Sequence, residues 1–176
     1  VPNMCEAAVQ SRLLDPVVDL GNWRITLLHS NVDQKSHGYL EDSQLQLLAQ
    51  SLSEAPDLHH LISLHHHPVP VGCEWIEPIG LRNASEFWKV LDRYPQVRGV
   101  LWGHVHQEFD QHRNGVRLLA SPSTCVQFTP ASPDFKVSSE APGYRWLRLQ
   151  PDGTLQTGVS RIPDFVFEPD YSANNY

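Results

Sequence analysis

Apolar residues recur along this chain with two periods. Residues 23–30, WRITLLHS, read as a strand leaving a loop. In LEDSQLQLLAQSLSEAP (40–56), Leu45, Leu48, Ala49 and Leu52 fall at helical spacing. Acidic residues open that segment and Pro56 follows it, as the ends of a helix require. HLISLHH (60–66) is short and almost wholly apolar before its histidines, the mark of a strand buried on both faces. After the loop PVPVGCEWIEPIGLR comes Asn83-Ala84-Ser85-Glu86, which predicts a capping box. Asn83 caps the helix, Glu86 reaches back, and the helix runs to about Tyr94, before Pro95. VRGVLW (97–102) then predicts a second buried strand.

The remainder alternates as β-structure. EFDQH and VRLLAS flank Asn114-Gly115, a strong hairpin signal. TCVQF, YRWLRLQ and LQTGVSRI follow, the last two joined by Asp152-Gly153, and the tail DFVFEPDYSANNY predicts irregular structure. The order is strand, helix, strand, helix, strand, then antiparallel strands. It predicts an α/β fold with right-handed crossovers and helices packed on a sheet. No repeat or linker divides residues 1–176, so one domain is expected.

Composition narrows the function. The net charge of −7, with scattered Lys and Arg, opposes nonspecific nucleic-acid binding. No apolar stretch approaches the ~20 residues of a membrane span. VPNMCEAAVQSRLLDP lacks the basic start and apolar middle of a signal peptide, and its lack of an initial Met hints at a processed or cut chain. Cys5, Cys73 and Cys125 make neither a closed disulfide framework nor zinc-finger spacing. Reduced thiols in a cytoplasmic protein are the simplest account, with a structural zinc at Cys73 as a weaker alternative.

The ten histidines change the picture. His65, His66 and His67 stand where a buried strand ends and Pro68 leaves the ladder. Strand alternation would turn His65 and His67 one way and His66 the other. The second buried strand ends in Gly103-His104-Val105-His106. Neutral imidazole is the commonest metal ligand, and α/β sheets place their sites at the C-terminal ends of neighbouring strands.

A strand ending in His-x-Pro, followed about forty residues later by one ending in Gly-His-x-His, resembles the calcineurin-like metallophosphoesterase family. LHHHPVPVGCEW, LRN, LWGHVHQEFD and LLASPSTCVQF are similar to its bacterial class III 3′,5′-cyclic-AMP phosphodiesterases. The resemblance implies a β-sandwich flanked by helices. It also implies two ions of iron, manganese or zinc, about 3.5–4 Å apart, that clamp a phosphoryl group and activate water. His66 and His104 would bind one ion and His106 the other. On an extended segment His104 and His106 would share a side, with Gly103 permitting a tight turn. His65, His67 and Asn83 have no ligand position and would line the pocket or support the ligands. The implied reaction is hydrolysis of cyclic AMP to 5′-AMP. A phosphomonoesterase or glycerophosphodiester hydrolase uses the same histidine motifs.

The family also carries an N-terminal Asp-x-His, a Gly-Asp that bridges the ions and a Gly-Asn-His-Asp. The chain reads as lacking all three, with no Asp-x-His, no Gly-Asp and no Gly-Asn-His; GNWR (21–24) has Trp23 in the place of the histidine. The resemblance therefore implies a C-terminal portion whose catalytic residues lie in a missing N-terminal part. Partial metal occupancy and inactivity of the isolated chain are then expected. A non-catalytic metal-binding or oligomerising module is the alternative. Loss of the first strands would leave an open face or edge on 60–65 and 98–102, favouring self-association or pairing with the missing part.

Overall fold

A computed structural model describes residues 15–168 of the chain. Cys5, the other residues ahead of Asp15 and the tail beyond Glu168 lie outside the described residues. The elements run β1 (Val17–Leu20), β2 (Trp23–Leu27), α1 (Asp42–Glu54), β3 (His59–Leu64), a 3-10 turn (Glu77–Ile79), α2 (Ala84–Leu91) and β4 (Val97–Trp102). The second half holds β5 (Phe109–Arg113), β6 (Val116–Ala120), β7 (Gln127–Phe128), β8 (Val137–Ser138), β9 (Gly143–Leu149) and β10 (Leu155–Arg161).

Six strands form one sheet in the order β1-β2-β3-β4-β6-β5. Its centre, β2-β3-β4-β6, is parallel, and β1 and β5 close it antiparallel at either end. The crossover helices lie between β2, β3 and β4 in sequence, as the two periods predict. Asn114 and Gly115 both take positive φ (50° and 82°), so the β5–β6 hairpin turns as its sequence demands.

Period-two alternation in the central strands feeds two separate cores. Ile62, Leu64, Val100 and Trp102 pack with Leu48 and Leu52 of α1 and with Phe87 and Leu91 of α2. Leu61, Trp23 and Leu119 face the opposite side, where Leu155 and the half-buried Leu147 and Leu149 of the β9–β10 hairpin cover them. The Trp23 indole donates to the Gln150 carbonyl (2.7 Å), and Arg145 reaches the carbonyl of Ala120 (2.8 Å). A Cβ at Gly99 would lie only 3.0 Å from Leu155 Cδ1. The hairpin therefore sits close because β4 is bare there.

Two expectations need correction. β3 and β4 are not left open. β2 and β6 flank them, and both of their faces are buried. The free edges of the six-stranded sheet belong to β1 and β5. Asn83 does sit at the N-terminus of α2, but its side chain makes no cap. Instead its amide accepts from the Leu40 N–H (2.9 Å) and donates to the Leu40 carbonyl (2.8 Å). Both polar atoms are spent on fixing a loop. The helix also ends at Leu91, earlier than its apolar pattern suggests.

Candidate metal centre

β3 and β4 are parallel neighbours with Leu64 opposite Trp102, so the residues after them leave the sheet side by side. The Gly103 amide donates to the His65 carbonyl (3.2 Å), which extends the pairing past both strand ends. There the regular path stops. Residues 65 and 66 are bends, and strand alternation no longer applies. His65, His66 and His67 consequently all touch one ring, that of His104, with centroids 5.0, 4.6 and 5.7 Å away.

The turn on the β4 side is strained. The Val105 amide donates to the Gly103 carbonyl (2.6 Å) around His104, whose φ is 62°. Such γ-turns with positive φ at the centre are rare. His106 also has a positive φ (49°), whereas Gly103 does not. The backbone is thus not extended here, and the two histidines point to different neighbours. Val105 between them is fully buried and anchors the loop. His104 turns into the histidine cluster, while His106 stacks on Phe128 (4.4 Å between centroids, 13° between planes). Strain of this kind, held in place by surrounding packing, is typical of functional sites.

Among the described residues, His65, His66 and His104 offer nitrogens that all lie within 4.8 Å of one another. His66 and His104 are two of the three ligands that the motifs imply; His65 stands in the trio and His106 outside it. His104 Nδ1 lies 3.2 Å from His65 Nε2. That is close to the about 3.3 Å edge expected for nitrogens held about 2.0–2.1 Å from a tetrahedral ion. His104 Nε2 and His106 Nδ1 are buried without a hydrogen-bond partner. Burial pushes the His66 imidazole down to about 4 and that of His104 to about 3, with the neighbouring histidines adding to the shift. Both rings are therefore neutral near pH 7, with a lone pair to offer. The donor set fits a divalent metal ion.

Small residues and short polar contacts fix the rings. A Cβ on Gly38 would overlap the His66 ring, and one on Gly80 would lie 2.5 Å from His67 Nε2. The Gly38 amide donates to the Gly80 carbonyl (3.0 Å), joining the two glycine loops behind the cluster. Ser30, 2% exposed, places its hydroxyl 2.9 Å from His66 Nδ1. Asn83 holds Leu40 at the far end of that wall and touches no histidine ring through any of its hydrogen bonds. Glu77 Oε2 stands 3.7 Å from His67 Nε2, while its Oε1 accepts from the amides of Val71 and Gly72 (2.8 Å each). His67 is 3% exposed and its ring packs flat on His104, a supporting position.

Other candidates lie elsewhere. His59 packs at a tilt against Trp23, and His60 Nε2 donates to the Ala55 carbonyl (2.8 Å). Two Asp-x-His strings do occur, at 57–59 and 110–112, but Asp110 is paired with Arg117 (2.7 Å) and neither histidine joins the trio. Cys73 is buried with its thiol against the carbonyls of Ser132 and Thr129 (3.4 and 3.7 Å). Cys125 is exposed. Ser30 ends the stretch read as the first strand, and Gly38 and Glu77 lie in loops, so nothing in the hydrophobic pattern marks them as neighbours of the histidines.

No protein-family model matches the sequence. Over 173 residues the chain is 54% identical to a Pseudomonas aeruginosa protein named 3′,5′-cyclic adenosine monophosphate phosphodiesterase CpdA, covering 98% of this chain and 64% of that one. The chain belongs to the calcineurin-like metallophosphoesterase family. An Escherichia coli K12 protein of the same name is 49% identical over 154 residues, 88% of this chain and 56% of that protein. A Nostoc protein named 3′,5′-cyclic-nucleotide phosphodiesterase alr5338 is 46% identical over 143 residues, covering 81% and 54%. The chain thus spans less than two thirds of the length of these relatives. Among solved structures, GAP50, the anchor in the inner membrane complex of Plasmodium, shares the fold with a TM-score of 0.54. It is 14% identical and the match covers 82% of this chain and 48% of that one.

Proposed function

We propose that this chain is the histidine-bearing part of a dinuclear, metal-dependent phosphodiesterase that hydrolyses 3′,5′-cyclic AMP to 5′-AMP in the cytoplasm. The observation that carries the reading is the meeting of His66 and His104 at the ends of adjacent parallel strands, within one cluster of neutral imidazoles. Identity of 54% to a protein named for that activity supports the substrate. His66 and His104 would hold one ion of iron, manganese or zinc, and His106 would serve a second. A divalent ion there supplies Lewis-acid polarisation of a phosphoryl oxygen and lowers the pKa of water. The residues of the chain keep the ligands neutral by burial, hold His66 between Gly38 and Ser30, and pack His106 against Phe128.

The trio contains no carboxylate, and a paired-ion centre needs one to hold two cations together. Residues 1–176 alone, given manganese or iron, should show no measurable cyclic-AMP hydrolysis. A longer protein containing this chain should hydrolyse it and lose the activity on His104→Ala. Robust turnover by the 176-residue chain, or activity that survives His104→Ala, contradicts the reading.

The same reading extends to self-association. Leu20 (55% exposed) lies on the edge strand β1, and Tyr144 and Trp146 are exposed on β9. Open edges and apolar faces favour pairing between chains. Light scattering over a range of concentrations should show dimers or larger species; a monomer throughout contradicts this.

A further inference from the structure

β7 and β8 form a short antiparallel ribbon in which Phe128 pairs with Val137, and the Thr129 amide donates to the Lys136 carbonyl (2.8 Å). The ribbon is tied to the histidine loop, because the Phe128 amide donates to the His106 carbonyl (3.2 Å). Its turn is tied to a second loop through the buried Cys73 thiol, which faces the Thr129 and Ser132 carbonyls. These anchors set three rings beside the histidines. Phe128 lies flat on His106. Trp75 meets Phe128 and Phe135 edge-on (5.1 and 5.0 Å between centroids), and Phe128 lies 5.4 Å from Phe135. Trp75 and Phe128 pack on the larger core, whereas Phe135 belongs to neither core and is 46% exposed. A ring so exposed adds little to stability by burial, yet two neighbouring rings and an anchored ribbon hold this one in place.

We infer that Phe135 is the outer end of an aromatic ledge on which the nucleobase of a phosphodiester substrate stacks. The inference rests on the phosphodiesterase reading above, in which the phosphoryl group is taken beside His104 and His106. Phe135 stands two ring-to-ring steps from His106, through Phe128. A nucleotide held at its phosphate likewise carries its base away from that point, across the sugar. Stacking of a base on an aromatic side chain is worth about 5–150-fold in affinity. Every base offers such a face, so the ledge separates nucleotides from base-free phosphate esters and does not separate adenine from guanine. A phenylalanine that served packing alone would be replaced by leucine with no effect on a base.

The test uses the zinc-loaded 176-residue chain and two probes, 5′-AMP and ribose 5-phosphate, which differ by the base. Isothermal titration should show 5′-AMP bound about 5–150-fold more tightly than ribose 5-phosphate, and both more weakly once zinc is removed. Phe135→Leu should bring 5′-AMP close to ribose 5-phosphate and leave ribose 5-phosphate where it was; Phe135→Tyr should keep the difference. Equal affinity of the wild type for the two probes, or a gain from the base that survives Phe135→Leu, overturns the ledge and leaves the metal centre standing. A Phe135→Leu chain that changes only its oligomeric state assigns the ring to contact between copies of the chain, and also overturns the ledge. If Phe135→Leu does not fold, NMR of the wild type decides, since a stacked base must shift the ring protons of Phe135. No zinc-dependent binding of either probe overturns the metal-centre reading and this inference together.

Discussion

His65 Nε2 and His104 Nδ1 lie 3.2 Å apart although 39 positions separate them in the chain. Parallel pairing of β3 with β4 creates that meeting, and His104 is the ring on which the other three histidines converge. Removing His104 should therefore do more than removing any outer contact. Zinc titration of His104→Ala should show affinity reduced by more than about 100-fold, beyond the cost of losing a supporting group. His112→Ala, on the exposed strand β5, should bind as the wild type does. Equal losses in both variants would mean that zinc binds elsewhere.

Gly38→Ala tests the wall behind His66. The new methyl would overlap the ring. Overpacking of a filled interior costs about 1–3 kcal/mol, so the variant should unfold at lower denaturant concentration. It should also bind zinc more weakly, because His66 must move. Unchanged zinc affinity would show that His66 is not held by this contact.

Acid should weaken the fold before its carboxylates titrate. Burial holds His60, His66 and His104 below the ordinary histidine value, with His66 at about 4 and His104 at about 3. Between pH 6.5 and 4 the unfolded chain binds protons that the folded chain refuses, so stability falls as pH falls through that window. Above pH 6.5 these groups contribute no slope. Melting temperatures of the metal-free chain at pH 7.5, 6 and 5 should decline in that order. A flat profile would show that the rings take up protons in the folded state.

Leu155→Ala tests the second core. Leu155 is 7% exposed and covers Gly99 and Leu61 from the β9–β10 hairpin. Its truncation should cost about 2–5 kcal/mol in equilibrium denaturation. A loss within about 0.5 kcal/mol, typical of surface changes, would mean that the hairpin does not seal this face.

The central sheet was legible because its signals are local. β3 and β4 are short apolar runs, and Asn114-Gly115 marks its own hairpin. The same two strand ends carry His66 and His104 on neighbouring parallel strands. Other features depend on what the chain meets in space. Asn83 has the residue type of a cap, yet Leu40, 43 positions away, takes both its polar atoms. β1 is four residues long and gains its stability from pairing with β2, which no periodicity reveals. His106 departs from His104 because the left-handed turn falls on the histidines and not on Gly103. Ser30 matters only through a hydroxyl aimed at a ring 36 positions on.

Anomalous X-ray diffraction from crystals of the chain soaked in zinc tests the central claim most directly, because it places the ion without reference to activity. The account predicts a peak about 2.0–2.1 Å from ring nitrogens of both His66 and His104. A peak bound by other residues, or none at the ends of β3 and β4 in zinc-soaked crystals, would contradict it.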